Sequence, residues 1–207
     1  YDNIIIGGKY IIAQKYENTV IFNEKGENLD RGILSYNQVN DNYAIVIDKD
    51  NNYNIVDKSA NKKLKENYTY IEYFNNNYFI VTKEGKTGII TGENEVIIDL
   101  KYNAIQKIDD TNALQAVDST NNRTDIIDEN MQIHEGIENA YISKKENYIK
   151  LYSETDVKYY NFNGGEIKYK DINPNNKIYA DKKDGKWGFV DSNGNVIVEY
   201  TYDMVTE

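Results

Sequence analysis

Lys186-Trp187-Gly188-Phe189-Val190-Asp191-Ser192-Asn193-Gly194-Asn195-Val196-Ile197 is the stretch on which the reading of this chain turns. An apolar pair follows the glycine, a polar turn follows the pair, and a second apolar pair follows the turn. Lys86-Thr87-Gly88-Ile89-Ile90-Thr91-Gly92-Glu93-Asn94-Glu95-Val96-Ile97 has the same frame. So do the segments around Val20-Ile21-Phe22, Asn54-Ile55-Val56, Asp125-Ile126-Ile127 and Lys158-Tyr159-Tyr160. The column held by Gly188 therefore reads Val20, Asn54, Gly88, Asp125, Lys158 and Gly188, with spacings of 34, 34, 37, 33 and 30 residues. Self-similarity at such a period marks a repeat architecture.

A second column runs alongside. Apolar runs opened by a polar residue carry Tyr10, Tyr43, Tyr78, Ala113, Tyr148 and Lys177 at one position, spaced by 33, 35, 35, 35 and 29 residues. The first of these runs is Lys9-Tyr10-Ile11-Ile12, and the others follow its pattern. A third element, an opener, precedes the runs: Tyr1-Asp2-Asn3-Ile4, Tyr36-Asn37-Gln38-Val39, Tyr70-Ile71-Glu72-Tyr73 and Tyr102-Asn103-Ala104-Ile105. The chain closes on Tyr202-Asp203-Met204-Val205, one more copy. Six repeats of about 34 residues plus an extra terminal strand make a single β-repeat domain over residues 1–207.

The runs are short, rich in Ile, Val, Tyr and Phe, and bounded by turn residues, which is the signature of strands. No 11-residue window keeps a helical apolar stripe. Asp184-Gly185, Asn193-Gly194 and Asn163-Gly164 are tight-turn signals, because Asn, Asp and Gly tolerate positive φ. The Gly7-Gly8 and Gly164-Gly165 pairs read as turns as well. Each repeat thus predicts up to four short antiparallel strands. The run of repeat two is apolar on both sides, with Tyr43, Ile45 and Ile47 on one and Ala44 and Val46 on the other. A strand buried on both faces needs a layer above and below, and about 34 residues cannot enclose a core alone. The expected fold is all-β, a six- or seven-bladed β-propeller, with an open β-solenoid or stacked hairpins as the alternative.

The last repeat resembles the bacterial WG (KWG) repeat family. Lys186, Trp187 and Gly188, the aromatic Phe189, Asp191, Gly194, Ile197 and Tyr202-Asp203 match that family's pattern. Repeat three keeps Gly88 but has Thr87 where the family has Trp, and the other four repeats keep neither residue. The resemblance implies a bacterial, partly surface-associated setting and a binding or scaffolding role. It transfers no active-site residue.

Composition narrows the function classes. Asp and Glu number 34 against 24 Lys and Arg, a net charge of −10. Nucleic-acid binding needs a cationic footprint. Here Lys62, Lys63 and Lys65, or Lys182, Lys183 and Lys186, form short groups beside acids. Membrane insertion is not expected, because no run approaches about 18 apolar residues. Cysteine is absent and His134 is the only histidine, which removes thiolate chemistry and His-rich metal sites. The chain opens on Tyr1 with no Met, basic segment or apolar segment. Either a targeting segment has been removed or the sequence is a piece of a longer protein.

Each individual candidate has a turn or core role that accounts for it as well. Asp48-Lys49-Asp50-Asn51-Asn52 alternates oxygen ligands as a calcium loop does, but lacks the loop's Gly and bidentate Glu. Asp118 to Asn122 and Asp181 to Gly185 occupy the corresponding turn. Asp109-Asp110 and Glu93 with Glu95 are carboxylate pairs that read as solvated turns, since hydrolysis of a glycoside needs two carboxyls converging across a cleft. His134 has no Ser, Asp or Glu placed beside it by a motif. Trp187 reads as packing, with Gly188 permitting close approach of a neighbour. The 20 tyrosines suit contacts with glycans and peptides as well as sheet faces. No catalytic, metal-binding or cofactor-binding residue is assigned, and no cofactor is expected. The expected function is a non-enzymatic module that binds protein or glycan outside the cytoplasm, at the cell surface. The alternative is a glycan-active enzyme with carboxylates drawn from neighbouring blades.

Overall fold

The computed structural model describes residues 1–207 apart from Gly8, Lys9, Tyr16, Glu17, Glu24, residues 29–31, Ala60, residues 173–175, Met204, Thr206 and Glu207. Three residues of the motifs above, Gly8, Lys9 and Met204, therefore lie outside the described residues. The chain divides into two compact units, Tyr1–Lys101 and Tyr102–Glu207.

The protein is all-β and is built from small antiparallel sheets that follow the repeat. In the first unit, β1 (Asn3–Gly7), β2 (Tyr10–Lys15) and β3 (Asn18–Asn23) form one sheet, and β4 (Ile33–Gln38), β5 (Tyr43–Asp48) and β6 (Tyr53–Asp57) form the next. A four-stranded sheet follows, from β7 (Tyr70–Asn75), β8 (Tyr78–Lys83), β9 (Lys86–Thr91) and β10 (Val96–Tyr102). In the second unit, β11 (Ala104–Lys107), β12 (Leu114–Asp118), β13 (Arg123–Ile127) and β14 (Ile133–Glu138) make the fourth sheet. The fifth has β15 (Tyr141–Lys144), β16 (Ile149–Tyr152), β17 (Val157–Tyr160) and β18 (Glu166–Ile167). The sixth has β19 (Ile178–Lys183), β20 (Lys186–Asp191) and β21 (Val196–Tyr202). Every one of these sheets is an up-and-down meander in chain order, the unit from which propellers and stacked-sheet arrays are alike built.

Burial explains why the repeats need each other. Ala44, Val46 and Val56 on one face of the second sheet pack with Ile21 of the first. Ile45 and Ile55 on its other face pack with Ile71, Phe79, Val81 and Ile90 of the third. One sheet thus serves two cores, which is why residues 44–46 are buried in succession. In the second unit Ile126 and Ile137 of the fourth sheet meet Ile149, Leu151 and Tyr160 of the fifth. Each such fully buried side chain contributes roughly 1.5–3 kcal/mol, and only a neighbouring sheet supplies the cover.

The sixth repeat departs from the expected pattern. Where an opener strand would stand, Tyr169–Ile172 forms a single helical turn, α1. Tyr169 packs its ring between Tyr159 at 5.1 Å and Tyr179 at 6.3 Å, and this aromatic packing takes the place of strand pairing. Tyr202 of the closing motif ends β21 opposite Trp187 rather than beginning a new strand, just as Tyr102 ends β10.

Candidate functional site

The glycine column is where the last strand of a sheet bulges over the strand before it. A Cβ on Gly88 would lie 2.5 Å from the Ile98 carbonyl oxygen, and one on Gly188 would lie 2.6 Å from that of Val198. The expected close approach at Gly188 is thus a backbone from its own sheet. At two of the non-glycine positions, Asn54 and Asp125, a polar side chain bonds that backbone instead. Asn54 donates to the carbonyls of Leu64 at 3.3 Å and Glu66 at 3.4 Å. Asp125, fully buried, accepts the Gly136 N–H at 2.9 Å and the Tyr102 hydroxyl at 2.7 Å, and pairs with Arg123 at 2.8 Å. Burial, followed by the Asp125 contact, pushes the Tyr102 phenol far above its usual range.

Three residues beyond this column sits the cap of a recurring turn: Asn23, Asp57, Thr91, Asp128, Asn161 and Asp191. In each, one side-chain oxygen accepts the N–H groups two and four residues on. For Asp191 these are Asn193 at 2.8 Å and Asn195 at 2.9 Å. For Asp128 they are Asn130 and Gln132, both at 2.9 Å. Asp48 does the same for Asp50 and Asn52, at 3.0 Å each, and Asp118 receives Thr120 at 3.0 Å. The leading aspartate of each of those two loops is thereby engaged in capping its turn. Asp181 differs: it lies within β19 and accepts the Tyr200 hydroxyl at 2.5 Å. The Tyr200 phenol is pushed up to about 12, by that bond first and burial second. The turn beyond Asp181 is the two-residue Asp184-Gly185 hairpin, with φ of 51° and 78°. Gly164 and Gly194 are also left-handed, with φ of 89° and 86°, as their shared place in the repeat requires.

His134 does have an acid beside it. Its Nε2 lies 3.1 Å from Asp128 Oδ2. The signal was the turn column, because a cap residue faces the strand that follows its own turn. Among the carboxylate pairs, Asp110 bonds Lys144 at 2.8 Å. Glu93 is held by Lys63 and by the Tyr43 hydroxyl, each at 2.6 Å. Burial first, and Glu93 next, push Tyr43 up to about 12. Among the described residues, no group of three or more His, Asp or Glu side chains is placed to hold a metal ion, and no helix is long and apolar enough to cross a membrane.

A cleft with the dimensions of a ligand site lies in the second unit, about 380 Å³ in volume, between β17–β18–α1 and β19–β20; another of about 440 Å³ lies in the first unit, between β4–β5 and β7. Both sizes fall within the roughly 300–1,000 Å³ of small-molecule sites. Tyr159, Tyr169 and Tyr179 line the cleft of the second unit, with Tyr159 and Tyr179 buried and Tyr169 half-buried. Lys158, Lys168, Lys170 and Lys182 line it too, as do Glu166, Asp181 and Asp191. Trp187, expected as packing, is half-buried beside the cleft, with the Lys182 ammonium 5.2 Å from its ring centre. The cleft lies where α1 stands in place of an opener strand, and no local motif announces it.

No family model matches the chain, and no curated protein matches it. Solved structures do. Kluyveromyces lactis Hsv2 is 11% identical, with 77% of this chain and 58% of that one covered and a TM-score of 0.39. Kluyveromyces marxianus Hsv2 is 11% identical, with 96% and 71% covered and a TM-score of 0.40. BamB from Moraxella catarrhalis is 10% identical, with 94% and 74% covered and a TM-score of 0.38. The chain spans less than two thirds of the length of Kluyveromyces lactis Hsv2. With every score below 0.5, these likenesses carry no functional argument. Fold and site together define the class: an all-β repeat protein with a tyrosine- and lysine-lined cleft in its second unit.

Proposed function

We propose that this chain is a non-enzymatic binding or scaffolding module of the WG-repeat type, recognising protein or glycan at a bacterial cell surface, and that the cleft between the fifth and sixth sheets is where it binds. The observation that carries the reading is the Tyr159–Tyr169–Tyr179 floor in a cleft of about 380 Å³. Aromatic rings present rigid apolar area with a polar tip, which suits the faces of sugar rings. A glycan-active enzyme would need an acid and a second carboxyl free to act. Of the three carboxylates lining the cleft, Asp181 is held by Tyr200 and Asp191 by its turn, which leaves Glu166.

Glycan and peptide arrays, followed by calorimetric titration of whatever is retained, test this reading. Tyr169→Ala is expected to weaken binding about tenfold, the equivalent of roughly 1.4 kcal/mol, with the thermal transition kept. Retention of no glycan or peptide, or turnover of an oligosaccharide, would overturn it.

A further inference from the structure

We infer that the outer face of the first sheet is an interface, which docks head to tail on the outer face of the sixth sheet of a second copy of this chain. Directly opposed residues of an antiparallel pair share a face of the sheet. In the second sheet Ala44 stands opposite Val56, in the third Phe79 opposite Ile90, and in the fifth Ile149 opposite Tyr160. With Val46, Val81 and Leu151, two residues along the middle strand, they form the face that each sheet turns to the one before it. All nine side chains are at most 1% exposed. The same place in the first sheet is held by Ile11 opposite Phe22 and Ala13 opposite Val20, with Ile6 and Ile4 of β1 opposite Ile11 and Ala13. Here Ile4 is 59% exposed, Ile6 78% and Ile11 37%. Val20 and Phe22 are half-buried, and only the small Ala13 is buried. Tyr1 sets its ring edge-on to Phe22 at 6.5 Å and widens the patch.

The face turned to the following sheet is the other half of each contact. In the second sheet it is Ile45 opposite Ile55, packed on the third sheet. The same place in the sixth sheet is held by Ala180 opposite Phe189, with Val198 opposite Phe189 on its far side. Ile178, two residues before Ala180, and Trp187, two before Phe189, extend this face. Ile178 is 52% exposed, and Ala180, Trp187, Phe189 and Val198 are half-buried. Tyr179 and Val190 alternate with these residues and line the cleft on the opposite side. The cores between the first and second, second and third, and fourth and fifth sheets each join a face of the second kind to a face of the first. A second copy of this chain therefore presents the surface type that covers such a face throughout the molecule. Terminal repeats that end an array carry a polar outer face. Both outer faces here are apolar, and contiguous exposed apolar surface marks an interaction site. Because the two faces differ, their contact is heterologous.

Sedimentation velocity on the whole chain over a wide range of concentration tests this. The expected result is a mass above that of the monomer that rises with concentration. Ile6→Glu and Ile178→Glu each place a carboxylate in one of the two faces, at exposed positions where the fold tolerates it. Either variant alone should self-associate roughly tenfold more weakly, or less still, because the docked carboxylate would be buried without a partner. An equal mixture of the two should recover a dimer with one copy of each. Ile6→Glu keeps its sixth-sheet face and Ile178→Glu keeps its first-sheet face, so one intact contact remains between them. A wild type that is monomeric at every concentration would overturn the inference. So would self-association that survives Ile178→Glu, since first-sheet faces would then meet each other or something else. A mixture no more associated than either variant alone would overturn it too. Should Ile6→Glu lose its cooperative melt, Ile4→Gln takes its place, read against the same outcomes.

Discussion

The third and sixth repeats are the two that share a glycine at the bulge, and their local parts coincide. Both turn from the second-last hairpin strand through a two-residue loop, Glu84-Gly85 with φ of 53° and 72°, and Asp184-Gly185 with 51° and 78°. Both cap the following turn from equivalent positions, Thr91 and Asp191. Yet the third sheet has four strands and an interior in which Ile80, Ile89 and Ile90 are essentially inaccessible. The sixth has three strands, and Phe189 and Val190 at the equivalent places are half-buried. One cross-strand pair shows the contrast directly. Thr82 and Thr87 share a hydroxyl bond of 3.0 Å, whereas Lys182 lies over the Trp187 ring. Turn and bulge are set by a few residues in sequence. Depth of burial is set by what the neighbouring segment offers.

The largest expected effect tests whether glycine can stand at any repeat's bulge. Asp125→Gly would import the residue of the third and sixth repeats into the fourth. It would leave Arg123, the Tyr102 hydroxyl and the Gly136 N–H without their shared acceptor. A loss of about 3–5 kcal/mol is expected by urea denaturation, and a near-neutral outcome would show that the carboxylate network is dispensable. Next, Gly88→Val drives a methyl-bearing carbon against the β10 backbone and should cost about 3 kcal/mol. Gly188→Val meets the same geometry in a shallower sheet, so a smaller loss is expected. Equal losses in the two would erase the contrast in burial.

A turn cap should matter less. Asp57→Ala removes the acceptor for Ser59 and Asn61, at about 1 kcal/mol. Burial alone would raise this carboxyl, but the bonds from Asn61 and Ser59 and the Lys63 charge outweigh it, so its pKa is lowered from 3.8. A lowered folded value means that the stabilisation is complete above the unfolded value and fades as pH falls through the folded one. The wild-type advantage over Asp57→Ala should thus shrink below about pH 4, and a difference that grows in acid would contradict the assignment. The smallest effect is expected from Trp187→Thr, which copies the third repeat and gives up the cation–ring contact at about 0.5–1 kcal/mol. A loss of several kcal/mol would mean that Trp187 is core after all.

The strands and the turns were legible because both are written in short windows. Alternating Ile, Val, Tyr and Phe, then a turn rich in Asp, Asn or Gly, suffice to place β5, β8 and β20. The beat of about 34 residues also told that neighbours must cover each other, as the split allegiance of Ala44 and Ile45 shows. The helical turn at Tyr169 was not legible, since it follows from rings that meet only once the fifth and sixth sheets are formed. The cleft inherits that opacity, because its lining is drawn from β17, β18, α1, β19 and β20, elements of two different sheets. The approach of Asp128 to His134 was within reach, had the cap column been followed across its hairpin.

Strand order has a kinetic consequence. In the described sheets each strand pairs only with the strands immediately before and after it in the chain. The loops closed by pairing are short, so the entropy lost in closing them is small and contact order is low for a β protein. A chain emerging from a ribosome would have every strand partner of a sheet at hand when its last strand appears, and would need only the next sheet to cover it.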